Sequence, residues 1–193
     1  AMYHDIGKIY TPQYFTENQQ TGFNMHRLFE PEESAQLIIE HVTRGEALAR
    51  QYKLPQSFIN IIREHHGTTH VESFYRQALK NAHDDASLVD ETKFRYPGPK
   101  PRTKEAAIIM IADSAEAGMH ALEPDKQSEE GVIEHINAVI HKKTEDEQFT
   151  HCPLTFEELN QIKRTLIKLL TPRIRVPITP KSEEKHNSEE QIE

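Results

Sequence analysis

The stretch KEAAIIMIADSAEAGMHAL, residues 104–122, is apolar on every side of a helix from Ala106 to Ala112. A helix of that kind belongs at the centre of a bundle or in a membrane, and no run in the chain reaches the ~18 apolar residues that a membrane span needs. The segment is therefore predicted as the central helix of a folded domain. Thr103 precedes it as the cap, where a hydroxyl can accept a backbone N–H left unpaired in the first turn. Asp113 interrupts the apolar run. A carboxylate there costs several kcal/mol unless it is paired or bound to a cation.

Working outward, helical periodicity recurs almost throughout. Pro31, Glu32 and Glu33 open a helix with proline in the first turn and acids at its positive end, and Leu37, Ile38, Val42 and Leu48 are predicted as its buried stripe, with His41 on it. Pro55 starts a second, with Phe58, Ile61 and Ile62 inward and Gly67 as a left-handed stop directly after His65 and His66. Val71 to Ala82 continues helically, and HDDASLVDET, residues 83–92, reads as an exposed linker. Two more helices are predicted, over Glu129 to His141 and after Thr155, where Thr155 and Glu158 make a capping box. At the other end Met2, Ile6 and Ile9 have helical spacing, and residues 11–24 read as a loop. No strand pattern and no internal repeat is present, so the predicted class is all-α. The chain is divided into a domain over residues 1–172 and a disordered polar tail over 173–193, which ends in KSEEKHNSEEQIE.

Composition narrows the partners. The chain has 193 residues, of which 36% are hydrophobic, and its mean hydropathy is -0.73. The single cysteine, Cys152, excludes a disulfide framework and a cysteine-based zinc site, so a reducing compartment is expected and any metal must be held by nitrogen and oxygen. A net charge of -8 repels polynucleotide phosphates and leaves a small anion as the expected partner. No signal peptide is visible.

Histidine stands out at 12 residues, several inside apolar runs. A lone histidine on an apolar helix face is usually a hydrogen-bonded core residue, and imidazoles at a helix end commonly cap it. His4, Asp5, His41, His65, His66 and Asp113 together resist that reading, because they place ligand types inward on several helices. Helical bundles build binuclear nitrogen and oxygen sites in this way.

HDIGK (residues 4–8), His41, HHGT (65–68) and Asp113 in IADSAEA together resemble the HD-domain metal-dependent phosphohydrolases. With LPQSFINIIREHHGT, FYRQALKNA and above all FRYPGPKP, the stretch from residue 2 to about 170 resembles the cytoplasmic HD domain of the seven-transmembrane HD family, which hydrolyses cyclic di-AMP to linear pApA. The resemblance implies an HD-domain helical bundle. Asp5 would bridge two divalent transition metals, one held also by His4 and Asp113, the other by His41, His65 and His66. It further implies a preceding helix carrying one more histidine, so the domain's N-terminal helix is expected to be missing here, and an arginine where this chain has His120. A cytoplasmic location is implied, as the intracellular part of a larger membrane protein, with the membrane reached only through other segments.

Two cations sharing a carboxylate and a bridging water would lower that water's pKa toward neutrality and supply hydroxide to a phosphorus atom. Iron or manganese suits imidazole and carboxylate ligands better than copper. Lys8, one turn from His4, is placed to favour a phosphate oxygen or the leaving alkoxide, so Asp5 and Lys8 are the expected catalytic residues. KFRYPGPKPRTK carries Lys93, Arg95, Lys100, Arg102 and Lys104 on a stiff loop, from which Tyr96, Lys100 and Arg102 are expected to bind substrate. The alternatives are another HD nucleotide phosphohydrolase, a di-iron oxygenase, or a non-catalytic HD module that senses a ligand.

Overall fold

The computed structural model describes residues 2–15, 18, 24–119, 122–123 and 126–174. Six α-helices form among them: α1 (Pro31–Gln51), α2 (Gln56–Glu64), α3 (Glu72–Asn81), α4 (Lys104–Met119), α5 (Glu129–Glu145) and α6 (Phe156–Leu170). The described residues contain no strand, only one isolated bridge between His70 and Arg95. None of their helices is long and apolar enough to cross a membrane.

Local chemistry sets the helix ends as expected. Pro31 occupies the first turn of α1, and Glu33 Oε2 accepts the Glu30 backbone N–H at 3.1 Å. Thr103 Oγ1 accepts the Ala106 N–H at 3.2 Å, and the capping box of Thr155 and Glu158 is present at the head of α6. Gly67 stops the chain after α2 with φ +54°, a conformation in which a β-carbon is strained.

Helix α4 packs on α2, α5 and α6, and Ala106, Ala107, Met110, Ile111 and Ala115 are buried along it. It is not covered on every side, because Ile108 remains 41% exposed. Three apolar clusters form among the described residues, one of them Ala49, Ile59 and Ile62 between α1 and α2. Ala115, Val132, Ile136 and Leu170 join α4, α5 and α6, while Ala35, Ile39, Val42, Val71, Phe94 and Tyr96 join α1 to the chain around α3.

Three expectations are corrected. The buried face of α1 carries Ala35, Ile39, Val42, Gly45 and Ala49, whereas Leu37 and Leu48 are half-buried at its flanks. Small residues face inward there because neighbouring backbones come so close: a β-carbon on Gly7 would lie 1.9 Å from the His41 carbonyl oxygen. Phe58 lies outward at the edge of α2, its ring 5.8 Å from that of Tyr3. The segment predicted as a helix from Met2 is instead a 3-10 turn over Ile6–Tyr10, held by bonds such as Lys8 N–H to Asp5 O at 2.9 Å. The tighter winding fits a chain that lies directly on α1.

His120, most of the loop from residue 16 to 23, and residues 175–193 lie outside the described residues. Arg173 belongs to a 3-10 turn, Thr171–Arg173, and Ile174 packs against the cluster of Leu170.

Candidate metal centre

Four elements bring the ligand types to one place. His4 and Asp5 precede the Ile6–Tyr10 turn, His41 projects from the middle of α1, His65 and His66 follow the last residue of α2, and Asp113 comes from α4. Their donor atoms form two groups, each lying within 4.8 Å of one another: Asp5, His41, His65 and His66, and His4, Asp5 and Asp113. Asp5 belongs to both. His41 and His65 approach its Oδ1 with Nε2 at 3.3 and 3.5 Å, while His4 Nε2 lies 3.3 Å from its Oδ2 and 3.4 Å from Asp113 Oδ1.

The protonation pattern can be derived. His41 Nδ1 lies 2.6 Å from Ile38 O and His65 Nδ1 lies 2.8 Å from Ile62 O. A carbonyl only accepts, so both Nδ1 atoms carry the proton, and in the neutral rings both Nε2 atoms present lone pairs. Those Nε2 atoms are 3.2 Å apart and face Asp5 Oδ1, a buried oxygen with no hydrogen-bond partner. Three electron-rich atoms converge on one point, an arrangement that a divalent cation satisfies.

The electrostatics agree. Burial pushes His65 below the ordinary imidazole range although Asp5 opposes it, and burial with the neighbouring His65 and His41 pushes His66 well below it. Burial would raise the Asp5 carboxyl, and with both Nε2 lone pairs turned to Oδ1 the two histidines give it no proton; the Lys8 ammonium, 2.8 Å from Oδ2, is the neighbour that holds the group below the usual carboxylate range. The centre thus offers His65 and His66 as neutral imidazoles and Asp5 as an ionised carboxylate, the forms that bind metal.

A pH dependence follows. With a chelator present, stability should fall as pH drops below the ordinary imidazole value of ~6.5. Below it the unfolded chain protonates His65 and His66 while the folded chain resists, so the unfolded state binds more protons and gains population. Each such histidine contributes a slope of up to about 1.4 kcal/mol per pH unit. The depressed Asp5 acts in another window, since its contribution is lost only as pH falls below about 4. Denaturant midpoints at about pH 7.5 and 5.5 test the sign; a midpoint that stays constant or rises on acidification would show that these rings are not kept neutral.

The basic loop departs from expectation. Lys93 pairs with Glu32 at 2.5 Å, Arg95 with Glu91 at 2.6 Å and Asp146 at 3.1 Å, and Lys104 with Glu158 at 2.5 Å. Arg102, expected to bind substrate, is engaged here with a buried carboxylate. Its Nε and Nη2 donate to Oε1 of the fully buried Glu64 at 2.9 and 2.8 Å, and its backbone N–H donates to Oε2 at 3.0 Å. Lys100 is the loosest of the five, 3.9 Å from Glu147. Tyr96 is buried, with its ring stacked on His66 at 4.2 Å.

Two residues near the centre were not singled out in the sequence. Burial lowers the Lys143 ammonium to about 8 against the opposing charge of Asp113, and its own charge helps to lower His66. Gln148 is fully buried; its Oε1 accepts Thr68 N–H at 3.0 Å and its Nε2 donates to Thr68 Oγ1 at 2.9 Å. A buried glutamine in the charged segment after α5 carries no periodic signal; helix α5 itself runs past the predicted His141 to Glu145. His26, a spare histidine of the N-terminal region, belongs to neither donor group, because its Nε2 bonds Tyr14 O at 2.8 Å and its ring packs on Phe74.

The family model of the HD domain matches residues 1–118. The chain is 41% identical over 170 residues to the cyclic-di-AMP phosphodiesterase PgpH of Bacillus subtilis (strain 168), and 40% identical over 170 residues to that of Listeria monocytogenes serotype 1/2a (strain 10403S). Each match takes in 88% of this chain and 23% of the relative, so the chain spans about a quarter of those relatives' length. Among solved structures, the L. monocytogenes PgpH HD domain in complex with cyclic-di-AMP superposes with a TM-score of 0.81 at 40% identity, covering 89% of this chain and 77% of that one. The same domain in a second structure gives a TM-score of 0.78.

Proposed function

This chain belongs to the HD-domain family, and from that premise we propose that it is a metal-dependent phosphodiesterase that hydrolyses cyclic di-AMP to linear pApA. The observation that carries the reading is the sharing of Asp5 between two adjacent donor groups. His41, His65 and His66 would hold one divalent cation with Asp5, and His4 and Asp113 the other. Iron or manganese suits this imidazole and carboxylate set. When bound, such a pair supplies water of lowered pKa and positive charge for the phosphoryl oxygens.

The chain's own residues do the rest. Asp5 holds both positions and is itself held by Lys8, whose Nζ lies 2.8 Å from Oδ2. The Lys8 ammonium also lies 4.9 Å from the centre of the Phe15 ring, which limits where it can swing. From there its charge favours a phosphate oxygen or the departing alkoxide. Lys100, the least committed cation of the basic loop, is the proposed contact for the second phosphate. The matched relatives are much longer than this chain, which supports a place within a larger protein; that this is the intracellular domain of a membrane protein rests on the resemblance of the sequence alone.

Incubation of manganese-loaded protein with cyclic di-AMP, cyclic di-GMP and ppGpp, with products resolved by chromatography, tests the substrate. Linear pApA formed faster than any other product is the expected result; faster turnover of ppGpp would replace the reading with that of a different HD phosphohydrolase.

Metal titration supplies a second prediction. The His41, His65, His66 and Asp5 group has four protein donors, the His4, Asp5 and Asp113 group only three among the described residues. The two steps should differ in affinity, by about 10- to 100-fold for one imidazole fewer. Equal steps in a manganese titration would show that another donor completes the second group.

A further inference from the structure

We propose that Tyr96 is a positioning residue that sets the ring plane of His66, rather than a contact for the substrate. The inference rests on the metal-site reading above and assigns a role inside it. The three histidines of the four-donor group are not held alike. His41 and His65 each donate Nδ1–H to the carbonyl three residues earlier, at 2.6 and 2.8 Å, which fixes the rotation of both rings. His66 makes no ring hydrogen bond among the described residues, and Asp113 Oδ2 lies 3.8 Å from its Nδ1. Its ring torsion is of the broad, two-fold kind, and it sits past the end of α2, where no helical turn restrains it.

Ring packing takes the place of the missing bond. Tyr96 lies nearly parallel to His66, with centroids 4.2 Å apart and planes at 19°, and His65 lies against the same ring at 4.0 Å. Tyr96 is itself braced. Its side chain is part of the apolar cluster with Ala35, Ile39 and Phe94, and its backbone N–H donates to Thr69 O at 2.9 Å. The turn between the two stacked residues is tied at both ends: Thr69 Oγ1 donates to His66 O at 2.8 Å, and Gln148 and Arg95 hold Thr68 at its N–H and its carbonyl, at 3.0 and 2.7 Å. The loop that carries Tyr96 and the turn that carries His66 therefore move as one unit, and the tyrosine ring is the face against which the imidazole must lie flat. A ring at only 7% exposure has little surface left to offer a nucleobase.

The test is a manganese titration of the full chain by calorimetry, beside the KM and kcat of the proposed reaction. Tyr96→Phe keeps the ring and should bind manganese as the wild type does. Tyr96→Leu keeps the apolar volume and removes the plane, and should weaken the tighter step about 10-fold while the weaker step stays put. Phe94→Leu, in the same cluster but away from His66, is the control for loosened packing and should leave both steps unchanged. If Tyr96→Leu does not fold, Tyr96→Met fills the same space without a plane. Wild-type affinity in the ringless variant overturns the proposal, as does equal weakening in Phe94→Leu. Raised KM with unchanged metal affinity in both Tyr96 variants would return Tyr96 to the substrate. Wild type that takes up no manganese overturns the metal reading itself, and this inference with it.

Discussion

Asp5→Ala is expected to leave both donor groups without their shared oxygen ligand, so that metal content falls from two equivalents to one or fewer. Turnover of cyclic di-AMP should fall on the order of 1,000-fold, equivalent to about 4 kcal/mol of transition-state stabilisation. The reason lies in the connectivity. Removing His4 or Asp113 thins one group, and removing His41, His65 or His66 thins the other, but Asp5 is the one residue in both. Its loss leaves the Nε2 lone pairs of His41 and His65, 3.2 Å apart, with no anion opposite them to complete the charge around a cation. Asp5→Asn separates charge from shape: the amide keeps the volume and should still lose most of the metal, because a neutral oxygen cannot balance two cations. Metal analysis after anaerobic loading, alongside a melting curve in chelator, distinguishes lost binding from lost fold. Two equivalents retained in Asp5→Ala, or turnover within tenfold of the wild type, would remove Asp5 from the centre of the mechanism.

Arg102→Ala is the substitution with the largest expected effect on stability. Glu64 is 1% exposed and accepts three N–H groups, all from Arg102. Truncation would leave a buried carboxylate with one backbone N–H. Breaking a buried pair typically costs ~3–5 kcal/mol, and because the Arg102 guanidinium is half exposed, with water close by, about 2–3 kcal/mol is expected. For a chain of this size that lowers the melting temperature by roughly 4–12 °C. Lys100→Ala should stay within about 0.5 kcal/mol of the wild type. Combining Arg102→Ala with Glu64→Gln should recover part of the loss, since the neutral amide is less costly to leave unpaired. An unchanged melting curve for Arg102→Ala together with a raised KM would restore the phosphate-contact reading drawn from the loop's basic sequence.

The pairing of Arg102 with Glu64 lies beyond the reach of the sequence. KFRYPGPKPRTK reads as a cationic lip because its five cations stand close in the chain, yet each has a carboxylate within 4.0 Å supplied by another element or another turn. Arg102 and Glu64 are 38 positions apart, Gln148 and Thr68 are 80 apart, and nothing in either neighbourhood marks the partner. Tyr96 was legible as an aromatic on a stiff loop; that it lies flat on His66 was not.

What the sequence determined is what short-range physics controls. Hydrogen bonds within one turn write the caps at Thr103 and at Thr155 with Glu158, and the stop at Gly67. Helical periodicity puts His41 on a buried face, and the cost of burying unpaired charge marks Asp113 as a ligand type, so the all-α class and the six candidate ligands could be read along the chain. Tertiary structure decided which atoms meet. The approach of the six candidate donors to within 4.8 Å in each group, the inward turn of small residues on α1 in place of its leucines, and the neutralisation of the basic loop all depend on how closely the helix axes approach one another. Those separations are fixed by the packing of residues tens of positions apart, and so are not encoded in any one local pattern.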